Sequence, residues 1–461
     1  MTASFAPFER KMREAGLPDV AVASFRAAFE ALVSGATGTL SERELAPVEA
    51  VPDATSFAEL RSAGAAALAR TVVIKLNGGL GTSMGMTRAK SLLPVKDGLS
   101  FLDVIARQVV RLRERHGVEV PLVLMDSFRT RADSLQALAP YGKLSGALAP
   151  DFLQHKVPRI AAADLTPVRW PAAPEHEWCP PGHGDIYPAL LSSGELDAML
   201  AAGYRTAFVS NSDNLGAVLD LALLGWFVER RLPFAMEVKQ RTHADRKGGH
   251  LARSRSGRLA LRETAQCPED ERQSFEDVSR WRFFNTNNLW IELEALKGAL
   301  SASNGVLSLP LIKNEKPVDP ENPASPRVIQ LETAMGAAVA LFEGAEAVQV
   351  PDERFAPVKT CADLLRVRSD AYRRDEEERV VPVPGGLGGA IAIELDATHY
   401  RTVADLELRF PHGPPSLVRC RRLVVRGDVR FGRDVALAGD VTLEAPPGGG
   451  LQVPDGARLG G

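Results

Sequence analysis

The chain has 461 residues, 45% of them hydrophobic and 25% charged, with a formal net charge of −3. Such a chain is long enough for roughly two or three domains and a large core, with the composition of a globular protein. The small negative excess argues against general nucleic-acid binding, and no uncharged apolar run approaches the ~18 residues of a membrane-spanning helix.

The N-terminus, Met1-Thr-Ala-Ser-Phe-Ala-Pro-Phe-Glu-Arg-Lys11, has no apolar stretch of the kind a secretory leader needs, so none is expected. Cys179, Cys267, Cys361 and Cys420 are scattered singly. That spacing excludes a zinc ribbon, gives no disulfide framework and predicts reduced thiols in a cytoplasm. Residues 1 to about 70 read as helical. Val22, Phe25, Phe29 and Leu32 recur at one helical face, and Ser41-Glu-Arg-Glu44 has the form of a capping box that starts another helix.

From 71 to 380 strand and helix signals alternate, the pattern of a parallel sheet flanked by helices. Strands are predicted over 72–76, 120–125, 206–209, 234–238, 289–291 and 347–350. Ser100 can cap a helix carrying Leu102, Ile105, Val109 and Leu112 on one face. The charged and glycine-rich stretch 373–389 reads as a linker or loop. Residues 381–461 then turn to short β runs, with Gly-Asp-Val at 427–429 and again twelve residues on at 439–441. This repeat suggests the stacked turns of a β-solenoid.

The most informative stretch is Thr71-Val-Val-Ile-Lys-Leu-Asn-Gly-Gly-Leu-Gly-Thr-Ser-Met-Gly85, followed by Lys90-Ser91. A buried strand gives way to glycines, which permit tight bends and close backbone approach. Exposed N–H groups with a lysine at the end of the loop suit a polyphosphate. Two better-known loops are excluded. Met84 stands where a dinucleotide fingerprint needs its third glycine, and Ala89 precedes Lys90 where a Walker A loop needs glycine.

Further candidates follow along the chain. Asp213, in Asn211-Ser-Asp213-Asn214 just past a strand, has the position and hard oxygen donors that suit Mg²⁺. Gln154, in Asp151-Phe-Leu-Gln154-His-Lys-Val-Pro158, offers the donor and acceptor that a uracil edge asks for. In Cys179-Pro-Pro-Gly-His-Gly-Asp185 the prolines and glycines let the Gly182 backbone lie against a base while His183 points at a sugar phosphate. Carboxylates and amides in Lys247-Gly-Gly-His250, Leu261-Arg-Glu263 and Phe284-Asn285-Thr-Asn287-Asn288 suit sugar hydroxyls. An Asn-Thr-Asn-Asn run directly before an apolar strand reads as a polar site loop.

Leu76-Asn-Gly-Gly-Leu-Gly-Thr-Ser-Met-Gly85 with Lys90-Ser91 resembles the nucleotide loop of the eukaryotic-type UTP–glucose-1-phosphate uridylyltransferases, the UDP-glucose pyrophosphorylases. Related N-acetylhexosamine enzymes usually carry Arg-Leu-Gly in place of Ser83-Met84-Gly85. The family's usual proline before the lysine is Ala89 here, which keeps the lysine and loses a rigid φ. The resemblance implies a Rossmann-like, GT-A-like nucleotidyltransferase with a mixed sheet flanked by helices. It divides the chain into an N-terminal helical segment (1–70), a catalytic domain (71–380) and a C-terminal left-handed β-helix (381–461), which some members use to form oligomers.

The implied reaction is UTP plus glucose 1-phosphate to UDP-glucose plus pyrophosphate, with Mg²⁺ as cofactor. Lys90 and Lys359, the latter in Pro357-Val-Lys359-Thr-Cys-Ala-Asp-Leu-Leu365, correspond to catalytic phosphate lysines. Leu76, Asn77, Gly78, Gly79, Gln154 and Gly182 fall on the nucleotide side, with Asp213 as metal ligand. His183, Asn211, Glu263, Asn285 and Asn287 fall on the sugar-phosphate side. Two other readings stay open here: the same chemistry on galactose 1-phosphate or an N-acetylhexosamine phosphate, and a nucleotide sensor without turnover.

Overall fold

A computed structural model describes residues 4–460. Helices α1 (Ala6–Glu14) and α2 (Asp19–Val33) open the chain, as the periodicity requires. Phe5, Phe8, Phe25 and Phe29 interlock, with Phe8 and Phe29 centroids 4.8 Å apart, over a floor of Val157, Ile160, Cys179, Ile329 and Leu331. Full burial of such a ring is worth about 1.5–3 kcal/mol. Ser41 does not start an α-helix. Its hydroxyl donates to Glu271 at 2.6 Å, and the Glu42 N–H donates to the same carboxylate at 2.7 Å. The Ser41 oxygen still accepts from the Arg43 N–H at 3.2 Å, so it caps a turn while a distant acid holds the segment. The chain makes one 3₁₀ turn and joins the main sheet as β1 (Leu45–Pro47).

Helix α3 (Arg61–Ala67) leads into β2 (Thr71–Asn77). Val72 and Ile74 enter the core on one face of β2, and Val73 enters the core on the other, so the strand needs apolar residues at successive positions. Helix α4 (Phe101–His116) begins at a reciprocal capping box between Ser100 and Asp103 and ends at Gly117, whose φ of +62° only glycine adopts freely. The remaining strands of the main sheet are β3 (Leu122–Asp126), β4 (Asp151–Leu153), β5 (Thr206–Asn211), β6 (Phe234–Gln240), β7 (His250–Ser254), β8 (Leu259–Arg262), β9 (Phe283–Glu292) and β10 (Glu346–Gln349).

These strands form one ten-stranded sheet with the path β1-β7-β9-β5-β2-β3-β4, while β6 lies between β9 and β10, and β8 pairs with β7. The pairs β5–β2, β2–β3, β3–β4 and β6–β10 are parallel. β9 runs antiparallel to both β5 and β6, so the sheet is mixed. The Asn285–Asn288 run is not a loop ahead of a strand. It lies inside β9, where the register against β6 shifts between Glu237 and Val238 and Asn287 takes φ +59°. A bulge satisfies the local preference of asparagine for left-handed backbone without ending the strand.

Stretch 373–389 is more ordered than a linker: Tyr372–Arg374 and Val380–Pro382 pair as an antiparallel hairpin. Helix α5 (Leu221–Glu229) crosses α3. Beyond α6 (Cys361–Arg368), strands β11 (Ser416–Arg426), β12 (Asp428–Phe431), β13 (Ala436–Glu444) and β14 (Gly450–Val453) stack in parallel, β11 on β13 and β12 on β14. The two Gly-Asp-Val copies do not stack on each other. Arg422 pairs with Asp440 and Asp428 with Gly450, separations of 18 and 22 residues, so the rung is longer than the repeat. One apolar cluster runs from Met84, Val95 and Phe101 through Leu364 to Leu417, Leu423 and Phe431. No helix among the described residues is long and apolar enough to cross a membrane.

The crossing of α3 and α5 is set by two glycines. A Cβ on Gly64 would stand 1.8 Å from the Leu221 carbonyl oxygen, and one on Gly225 would stand 1.9 Å from that of Leu60. Backbone cannot yield there as a flexible side chain would. Gly225→Ala is expected to lower unfolding free energy by about 1–3 kcal/mol. Urea unfolding checks this, and an unchanged midpoint would refute the close-crossing account.

Candidate active site

The parallel register sets Leu76 beside Asn211, so the loop after β2 and the turn after β5 leave the sheet as neighbours. The Ser212 N–H donates to the Leu76 carbonyl at 3.1 Å and ties them together. The glycine loop then folds back on itself. The Lys90 N–H donates to the Gly79 carbonyl at 3.0 Å, and Gly81, at φ +67°, packs against the Lys90 side chain. Lys90 therefore springs from the base of the loop. Its Nζ donates to Asp213 Oδ2 at 2.6 Å. Ala89 is buried at φ −53°, close to the angle that proline would fix, so the surrounding packing supplies the conformation the ring would have imposed.

Asn77 contributes to the loop through its backbone only. Its side chain is buried and donates to Asp126 Oδ1 and to Ser134 Oγ, each at 2.7 Å. Burial pushes the Asp126 carboxyl up to about 6, against the bonds from Asn77 and Thr130. Gly78 lies against Gln154: a Cβ there would stand 2.6 Å from Gln154 Oε1. Gln154 Nε2 in turn donates to the Gly182 carbonyl at 3.2 Å, and Gln154 N–H donates to the Asp126 carbonyl at 2.7 Å. Gly79 faces open space. Gly78, Gln154 and Gly182 thus line one side of the cleft.

Gly182 has φ +85°, and a Cβ there would meet the Thr333 backbone at 2.5 Å, so only glycine passes. His183 follows. The Met335 N–H donates to His183 Nδ1 at 2.9 Å, which makes Nδ1 the acceptor and leaves Nε2 as the N–H of the neutral ring. Burial pushes the imidazole down to about 4. The neighbouring His155 and Asp185, paired at 2.9 Å, brace the same segment from below.

The sugar-side candidates gather on β9 and the end of β8. Asn285 Nδ2 donates to Asn287 Oδ1 at 2.9 Å, and the Asn287 N–H donates to Asn285 Oδ1 at 2.9 Å. Glu263 directly follows β8. Burial pushes its carboxyl up, while Asn285 and the charge of Lys359 oppose that shift. Gly249 gives it room, since a Cβ there would stand 2.5 Å from Glu263 Oε2. His250 lies away from the cleft, buried between Trp281 and Phe275 with ring centroids 4.5 and 4.6 Å away.

Lys359 is exposed at the start of α6, where its own N–H and that of Thr360 donate to Asp363. The Val358 N–H donates to the Asp213 carbonyl at 3.3 Å, which brings this late segment to the acidic turn. The candidates therefore converge on one cleft, with the Asn77 side chain turned inward. Sequence reasoning missed Glu237, Arg354, Asn214 and Asn288, which connect behind the cleft. The visible signal was the last asparagine in each of the two Asn-rich runs.

Glycine loop, lysine and acidic turn at the carboxyl ends of adjacent parallel strands are the arrangement of an α/β nucleotide-binding enzyme. The chain belongs to the UTP–glucose-1-phosphate uridylyltransferase family, whose model matches residues 22–438. It is 42% identical over 394 residues to the UTP–glucose-1-phosphate uridylyltransferase of Solanum tuberosum, covering 85% of this chain and 80% of that one. The Saccharomyces cerevisiae enzyme of that name is 40% identical over 393 residues, covering 85% and 77%. The fold superposes on a UDP-glucose pyrophosphorylase mutant from Leishmania major in complex with UDP-glucose with a TM-score of 0.93 at 43% identity, covering 100% of this chain and 98% of that one. The UDP-glucose phosphorylase from Trypanosoma brucei gives 0.90 at 43% identity, covering 98% and 97%.

His183 makes the site sensitive to acid. Unfolded, its imidazole takes a proton near 6.5; folded, it resists until about 4. Between those values the unfolded chain binds more protons, so stability falls as pH falls, by up to about 1.4 kcal/mol per pH unit from this group. His183→Asn is expected to flatten that part of the slope in urea unfolding followed from pH 6.5 to 4. An identical slope would show that the ring is not held neutral.

Proposed function

We infer that the chain transfers the uridylyl group of UTP to glucose 1-phosphate, releasing pyrophosphate and UDP-glucose. Family membership carries the reaction, and the Lys90–Asp213 contact at the mouth of the glycine loop is the geometric observation that supports it. A phosphate oxygen of the sugar phosphate attacks the α-phosphorus of UTP. The bond to the bridging oxygen of the β-phosphate breaks, and pyrophosphate leaves with the electron pair. No proton need be removed from the nucleophile near neutral pH. What the protein must supply is alignment and relief of negative charge.

Each role follows from a placed group. Backbone N–H groups from Leu76 to Gly79 cradle the phosphates, and Gln154 reads the uracil edge beside Gly78 and Gly182. The amide offers donor and acceptor to O4 and N3–H, while glycine backbone admits the ring. His183, neutral with Nε2 as donor, holds the sugar phosphate. Lys90 and Lys359 neutralise charge on the transferring phosphoryl group. Two unit charges 4 Å apart at an effective dielectric of 20 interact by about 4 kcal/mol, so two lysines suffice where net charge gives no help. Glu263, Asn285, Asn287 and Asn211 address the sugar hydroxyls.

Asp213 is the residue that would hold Mg²⁺. Among the described residues no group of three or more His, Cys, Asp or Glu could cage a metal. A single carboxylate fits this ion, which takes few protein ligands and completes its shell with phosphate oxygens and water. When bound, the ion would supply charge neutralisation. Asp213 would then serve as its anchor, and Lys90 would be free for phosphate oxygens.

The same reading keeps the division at about residues 70 and 380 and treats the parallel rungs of β11 to β14 as a left-handed β-helix. Assembly through that tail is its finer part, read out by solution mass. Cytoplasmic residence belongs to it too, supported by four cysteines that are all unpaired and buried.

The direct test is pyrophosphate release from UTP, Mg²⁺ and a panel of sugar 1-phosphates, with glucose 1-phosphate expected to give the highest kcat/KM. Preference for another sugar would replace the substrate, and no release with any would end the transferase reading. Lys90→Ala is expected to lower kcat by at least ~10²-fold, the scale for one charge-stabilising donor. Asp213→Asn is expected to move the Mg²⁺ titration to higher concentration, measured as activity against free metal.

A further inference from the structure

Glu237 lies on β6 with no exposed surface, directly behind the cleft. Its carboxylate is gripped by Arg354: Nε donates to Oε2 at 2.8 Å and Nη2 donates to Oε1 at 2.6 Å. Asn288 Nδ2 donates to Oε2 at 2.9 Å, and Trp290 Nε1 donates to Oε1 at 3.0 Å. A two-pronged guanidinium–carboxylate contact fixes angle as well as distance. A buried ion pair is seldom the most stabilising filling for its volume, because both charges must leave water.

Arg354 stands just ahead of the segment that carries Lys359. Its main-chain carbonyl accepts from Asn214 Nδ2 at 3.1 Å. Asn214 follows Asp213 directly. Its Oδ1 accepts from the Ala356 N–H at 3.0 Å and from the Gly216 N–H at 3.2 Å, and its Nδ2 also donates to Asn288 Oδ1 at 3.3 Å. A Cβ on Gly216 would stand 2.1 Å from the Glu353 carbonyl, so the turn after Asp213 and the strand end before Lys359 touch backbone to backbone. The chain between these two pieces is long, and covalent geometry does not set their spacing.

We propose that Glu237 and Arg354 are positioning residues for the transfer. Through Asn288 and Asn214 the ion pair holds the Asp213 turn and the Lys359 segment at one fixed separation, so that a cation from late in the chain meets a phosphate bound by a loop from early in it. Glu237 acts through Lys359 and touches no substrate itself. The inference rests on Lys359 serving in turnover, and its test distinguishes the two.

Kinetics would be measured for the wild type, Lys359→Ala, Glu237→Gln and the double variant, each shown folded by thermal unfolding. Glu237→Gln is expected to lower kcat by about 10- to 10²-fold, the scale for misplacing a group near reacting atoms. The KM for UTP should move less than about threefold, because the lost interaction serves the transition state. In the Lys359→Ala background the same substitution should cost less than about twofold, because residues that act as a unit are not additive. Equal fold-losses in both backgrounds would overturn the positioning role and leave Glu237 a core residue. Unchanged kcat in Lys359→Ala would remove Lys359 from the site and overturn the relay with it. If Glu237→Gln does not fold, Arg354→Lys, which keeps the charge but not the fork, enters the same cycle with the same expected pattern.

Discussion

Everything in the cleft depends on the parallel pairing of β2 with β5. Their register sets Leu76 against Asn211, so the glycine loop and an acidic turn emerge side by side. Neither element could select a triphosphate alone. Glycine N–H groups attract any anion, and a lone carboxylate repels one. Placed together they bring Lys90 to Asp213 and create a site whose charges cancel at rest. The pair is half-buried, so its attraction is offset by the cost of taking both charges out of water. Its value lies in the readiness of either partner to turn to a ligand.

Much of this frame was legible in the sequence because its causes are local. A run of apolar residues at β2 and glycines at 78, 79 and 81 each carry their conformational reason with them. Helix α4 likewise announces itself through Ser100 and its apolar stripe. What stayed hidden depends on distant partners. Ser41 looked like an α-helix start, yet it caps only a 3₁₀ turn and donates its hydroxyl to Glu271, far along the chain. The Asn285–Asn288 run looked like a turn because asparagine favours turns, yet pairing on both edges of β9 kept it extended and confined the preference to Asn287. The inward turn of Asn77 was illegible for the same reason: Asp126 and Ser134 reach it only once the sheet has formed.

The polar interior shows how such a cleft is supported. Glu237, Asn288, Asn214 and Arg354 come from separate segments and hydrogen-bond one another in a largely buried network. A half-satisfied network of this kind would be worse than an apolar core. Its completeness makes the spacing behind the cleft stiff, while the loops in front keep glycine freedom.

The C-terminal strands share their apolar interior with the stretch that follows the glycine loop, from Met84 to Phe101, and Gly85 leaves just enough room for Thr402. On a ribosome this couples the segment after the glycine loop to almost the last strands made. The glycine loop emerges early, but the apolar seam beside it is not complete until β11 to β14 arrive. A nascent chain would therefore expose that seam throughout synthesis, and chaperone occupancy during translation would concentrate there.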